Sequence, residues 1–131
     1  MKVIITNFTN PCAIKKDHCV NCHSHFLAVR PFIKEAVISR RFMKDLKDEQ
    51  EVNSIVNAVL DCSSVDFFEL HKFEESLDGN LIFRAKKEGV HLVYCVDKQM
   101  RIVFLRAFHN YSDYGKFLED KREVKRQLAS L

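Results

Sequence analysis

A chain of 131 residues, 47% hydrophobic and 30% charged, has the size and composition of one folded domain with its own core. That excludes a disordered segment and a miniprotein that needs disulfides or metal to hold together. The longest apolar run, Leu92-Val93-Tyr94-Cys95-Val96, is far too short to span a bilayer, and the start Met1-Lys2-Val3-Ile4-Ile5-Thr6-Asn7 does not read as a signal peptide. The expected location is the cytoplasm, so the five cysteines are read as thiols or metal ligands before disulfides. The net charge of +3 hides a segregation. Residues 1–44 carry eight Lys/Arg against two Asp/Glu, residues 45–79 two against ten, and residues 80–131 eleven against six. A basic C-terminal part suits RNA or an acidic protein partner, and equally a solvated helix surface such as the charge run Lys121 to Arg126.

In chain order, residues 1–33 come first, with three cysteines, three histidines and both prolines. They are read as a Cys/His-containing extension to a domain spanning 34–131. Cys19-Val20-Asn21-Cys22-His23 has the form of a haem-attachment motif, but that attachment takes place outside the cytoplasm. A zinc knuckle is the alternative, with Cys12, Cys19, Cys22 and His23 (or His25) as ligands. The second ligand pair lacks regular spacing, so a loop of unliganded thiols and imidazoles competes with it.

Glu35 to Ile38 reads as a short strand. Ser39 is placed to cap a helix carrying Phe42, Met43 and Leu46. Val52, Ile55, Val56, Val59 and Leu60 form one apolar stripe of a second helix, opened by Asp48, Glu49 and Glu51 at its positive end. The period then changes. Leu81–Lys86, Val90–Val96 and Arg101–Phe108 alternate as three strands of an antiparallel meander, joined by turns at Glu88-Gly89 and Asp97-Lys98-Gln99. A last helix starts near Ser112, with Tyr114, Phe117, Leu118, Val124, Leu128 and Leu131 inward. The expected class is α+β: an antiparallel sheet in the order β-α-α-β-β-β-α, with helices packed on one face.

This order resembles the RelE/ParE superfamily of small toxins. The likeness rests on Val37 to Leu46, on Glu69-Leu70-His71-Lys72-Phe73, on Leu81 to Val96, and on Arg101 to Leu118, roughly residues 35–120. The most characteristic stretch is Phe83-Arg84-Ala85-Lys86-Lys87-Glu88-Gly89-Val90-His91-Leu92-Val93-Tyr94. The resemblance implies one of two activities: a RelE-like endoribonuclease that cuts mRNA at the ribosome, or a ParE-like inhibitor of DNA gyrase that is not an enzyme. A third outcome is an inactive member that only binds a partner. The family's usual partner is a cognate antitoxin, and fold alone does not choose among these readings.

Cleavage by the 2′-hydroxyl needs a base, an acid and cations around the phosphate, and no metal or other cofactor. The candidates are Arg84, His91, His109 and Tyr111 for catalysis, with Lys86, Lys87 and Arg106 for RNA binding. By the resemblance, Arg84 falls on a catalytic or phosphate-binding basic position, His91 where many RelE members carry arginine, and His109 near a second basic position. An imidazole can give or take a proton near neutrality, whereas arginine only stabilises charge. Each residue also has a plainer reading. Arg84 and Lys86 would cover a solvent-facing edge, His91 would be a sheet histidine, and His109-Asn110-Tyr111 would be a strand-to-helix turn. The two-residue turn at Glu88-Gly89 predicts Lys87 opposite Val90, Lys86 opposite His91 and Arg84 opposite Val93.

Overall fold

A computed structural model describes residues 2–5, 24–33, 35–61, 67–87 and 89–130. The strands are β1 (Lys2–Ile5), β2 (Glu35–Ile38), β3 (Phe67–Leu77), β4 (Asn80–Lys87), β5 (Val90–Val96) and β6 (Arg101–Phe108). The α-helices are α1 (Ser24–Val29), α2 (Arg40–Asp45), α3 (Glu49–Asp61), α4 (Tyr111–Glu119) and α5 (Lys121–Ala129), with a 3-10 turn at Arg30–Phe32 after α1. The strands form one sheet in the order β1-β2-β6-β5-β4-β3. The class is α+β, as expected from the sequence.

The meander pairs in sequence order, with Lys87 opposite Val90, Lys86 opposite His91 and Arg84 opposite Val93. Gly89 takes φ +73°, the left-handed conformation that so tight a hairpin turn requires. Ser39 caps α2, its Oγ accepting from the Phe42 N–H at 3.1 Å.

Three features depart from the expected plan. The sheet is mixed: β2 runs parallel to β6, with Ala36 opposite Ile102 and Val37 opposite Val103, because α2, α3 and the meander carry the chain across between them. The helices cover both faces. Phe83, Ala85, Leu92, Tyr94, Val96, Ile102 and Phe104 pack with α1, α2 and α3, whereas Ile82, Val93, Cys95, Val103 and Leu105 pack with α4 and α5. The reason lies in β5, whose residues His91 to Val96 are all buried, as in a strand covered on both sides. Finally, the last helix is two helices. The Asp120 backbone N–H closes α4 on the Lys116 and Phe117 carbonyls, and its side chain accepts from Glu123 N to start α5.

Two strands lie outside the expected order. β1 pairs antiparallel with β2, and Phe26 and Ile33 are fully buried in the α1–α3 core, so the described parts of residues 1–33 belong to the same sheet and packing. β3 forms the edge beyond β4. Its register shifts between Phe67 and Glu69, between Glu69 and Lys72 and again between Phe73 and Glu75, and His71 within it has φ +56°. These irregularities break the period-2 pattern by which a strand is recognised.

β6 runs on past the end of β2, which leaves edge backbone groups to satisfy. Ser39 Oγ and Gln127 Nε2 both donate to the Leu105 carbonyl, at 3.0 and 2.7 Å, and Asp45 Oδ2 accepts from the Ala107 N–H at 3.0 Å. Among the described residues no helix is long and apolar enough to cross a membrane.

Candidate active site

The α4-covered face of the meander gathers much of the predicted basic cluster. Strand alternation puts Arg84 and Lys86 on the same side of β4, and the register sets Lys86 directly across from His91. His91 in turn lies opposite Phe108 on β6. The chain leaves β6, turns at His109 and Asn110, and starts α4. The Asn110 side chain caps that helix, accepting from Ser112 N at 2.7 Å and Asp113 N at 3.3 Å. This cap aims the first turn of α4 back over the sheet.

The His91 ring therefore lies under two tyrosines. It stacks on Tyr114, with centroids 4.8 Å apart and 18° between planes, and meets the Tyr111 ring at 5.5 Å and 69°. His91 is 8% exposed, and its Nδ1 is buried without a hydrogen-bond partner. Tyr111 is 69% exposed, a large aromatic face left to solvent. Burial lowers the His91 pKa below the ordinary 6.5, Lys86 and then Arg84 push the same way, and Glu69 opposes them. The imidazole is thus neutral near pH 7, in the form able to accept a proton. Burial, and then the charge of Glu74, raise the Tyr114 pKa, so that hydroxyl keeps its proton.

Arg84 is not an open cation. Its Nη2 lies 2.9 Å from Glu69 Oε2 and its Nε 2.5 Å from Glu74 Oε1, as charge contacts rather than aligned hydrogen bonds. The Tyr114 hydroxyl also donates to Glu74 Oε1, at 3.3 Å. Glu69 and Glu74 come from β3, the strand the sequence did not declare. The signal that would have found them is charge complementarity between an acidic strand and the basic β4 beside it.

The remaining candidates separate. Arg106 lies across β5 from Arg84, both opposite Val93. Its guanidinium, however, is bound by Asp45, with Nε to Oδ2 at 2.6 Å and Nη2 to Oδ1 at 3.1 Å. It also lies over the Phe108 ring, 4.7 Å from the centroid. Lys87 stands at the hairpin tip and lines a cleft of about 360 Å³ with Asp48, Gln50, Glu51, Ser54, Ile55 and Val90, at the start of α3. His109 is exposed in the bend after β6. The face thus unites Arg84, Lys86, His91 and Tyr111, adds Tyr114, Glu69 and Glu74, and leaves Lys87, Arg106 and His109 to other surroundings.

Chemically, this arrangement offers a neutral imidazole, a neighbouring ammonium group at Lys86 and an exposed phenol at Tyr111. Those groups suit proton transfer beside an anion. Cys12, Cys19, Cys22 and His23 lie outside the described residues. Among the described residues no group of three or more His, Cys, Asp or Glu side chains is placed to hold a metal ion. Comparison with family models, with curated proteins and with solved structures gives no match for this chain.

Proposed function

We propose that the chain is a RelE-like toxin of a toxin–antitoxin pair, acting in the cytoplasm as a metal-independent endoribonuclease on ribosome-bound mRNA. The observation that carries this reading is the convergence of His91, Lys86 and the exposed Tyr111 on one face of the sheet. In this reading a neutral His91 takes the 2′-hydroxyl proton, Tyr111 serves the leaving 5′-oxygen, and Lys86 balances the charge that grows on the phosphate. Arg84 acts at one remove, through the field it sets at His91. The partners are mRNA, the ribosome and an antitoxin that covers this face. If the Cys12, Cys19, Cys22 and His23 segment holds a zinc ion, its role is structural. Inducing the chain in cells and mapping mRNA 5′ ends tests the reading: clustered, in-frame cuts support it.

A second reading is favoured by a specific observation. The guanidinium groups of Arg84 and Arg106, which a phosphate would need, are engaged by Glu69, Glu74 and Asp45. A family member that acts by binding alone, on gyrase or on an antitoxin-like partner, requires no open phosphate site. Toxicity without mRNA cleavage would select that reading.

A further inference from the structure

Glu74 occupies a junction that the proposed chemistry does not use. One oxygen of its carboxylate, Oε1, meets both the Tyr114 hydroxyl at 3.3 Å and Arg84 Nε at 2.5 Å. Tyr114 is the residue on which the His91 ring lies flat, and Arg84 is one of the cations that bear on that ring. Glu74 comes from the edge strand β3 and Tyr114 from α4, so the contact is a tertiary one between residues 40 apart in sequence. A phenol already donating to a carboxylate has no proton to spare for a substrate. Tyr114 is therefore spoken for, and the exposed Tyr111 is the hydroxyl left facing solvent.

We propose that Glu74 is a positioning residue for His91: through one carboxylate oxygen it fixes the Tyr114 ring against the imidazole and holds Arg84 in place beside it. The nuclease role of His91 rests on the reading above, whereas the positioning itself is a property of the folded chain. Glu74 acts on His91 by two routes. The first is steric, since the hydroxyl contact sets where the Tyr114 ring lies. The second runs through Arg84, since the carboxylate holds the guanidinium whose charge bears on the ring. The groups bearing on His91 are Arg84 and Lys86 from β4, Glu69 from β3 and the rings of Tyr111 and Tyr114 from α4, with Phe108 opposite on β6. Glu69 also touches Arg84, at Nη2, and its distinct part is to anchor the far end of the guanidinium.

The test is an NMR titration of the His91 imidazole in the full chain, its signals assigned by their loss in His91→Gln. The Tyr114 ring should shift those signals upfield in the wild-type protein. Tyr114→Phe, which keeps the ring but loses its hydroxyl, should reduce that upfield shift. Glu74→Gln, which keeps the shape but removes the charge, should lower the titration midpoint by about 0.3 pH unit or more, because Arg84 is then less compensated. In RNA cleavage, both variants should lower kcat about tenfold with KM little changed. Unchanged ring shift in Tyr114→Phe together with an unchanged midpoint in Glu74→Gln overturns the proposal, whatever the activity. If the wild-type chain does not cleave RNA, the nuclease reading fails, and the two NMR measurements still decide whether Glu74 positions His91. Both substitutions conserve size, and a circular dichroism melt verifies that each variant is folded before it is read.

Discussion

Arg106 and Asp45, 61 residues apart in sequence, meet in a two-point ion pair on the stretch of β6 that β2 leaves uncovered, with Arg106 Nε 2.6 Å from Asp45 Oδ2. The same carboxylate oxygen takes the Ala107 N–H. One side chain at the end of α2 thus replaces the missing strand neighbour and neutralises a cation on the sheet. Charge-assisted, two-point pairs of this kind are the strong ones, and removing one partner leaves the other under-solvated. Asp45→Ala should therefore cost about 2–3 kcal/mol in urea unfolding. Asp45→Asn should cost less, because its amide oxygen still accepts from Ala107. A loss under about 0.5 kcal/mol for Asp45→Ala, typical of an exposed pair, would show that the pair is not structural.

The buried imidazole of His91 makes stability depend on pH. Its folded pKa is lowered below the ordinary 6.5, so between the two values the unfolded chain binds more protons than the folded one. Stability should be full above pH 6.5 and fall as the pH drops from there towards the folded value. Below that value this contribution is constant. His91→Gln should flatten that part of the profile of Tm against pH. A profile unchanged by the substitution would place the acid sensitivity elsewhere.

The N-terminal cysteines and histidines make a claim about metal that elemental analysis can decide. If they bind zinc, the purified chain should carry about one ion, and Cys19→Ser with Cys22→Ser should remove it. Metal-free protein prepared without chelators would reduce the segment to unliganded thiols and imidazoles.

The parts of the fold legible in the sequence are those where local signals and tertiary demand agree. The α2–α3 hairpin follows from Ser39 and the Val52-to-Leu60 stripe, and the meander register from the Glu88-Gly89 turn. Where one residue has two duties, legibility ends. The apolar run in β5 was visible, but its meaning, a strand covered by helices on both faces, depends on what packs there. β3 stayed hidden because its bulges and the positive φ of His71 disturb the alternation. With β3 went Glu69 and Glu74, so Arg84 looked like a free cation when it is clasped by carboxylates. The helical spacing of Tyr114 points to the core; it is buried, and it is also the ring against His91. Helical spacing carries no information about that second duty.

The proposed reading makes His91 the proton acceptor in RNA cleavage, and mRNA 5′-end mapping after controlled induction of the wild-type chain, His91→Ala and Lys98→Ala tests it. Lys98 is exposed in the turn between β5 and β6, at the other end of β5 from His91, and serves as the control. Arg84→Ala is the weaker probe, because it would leave Glu69 and Glu74 without their shared cation and disturb the fold as well. Clustered, in-frame cuts are expected with the wild-type chain and with Lys98→Ala, and at least a tenfold loss with His91→Ala, roughly 1.4 kcal/mol or more at the transition state. Equal toxicity of all three without mRNA cuts would contradict the nuclease reading and put the gyrase-directed, non-enzymatic reading in its place.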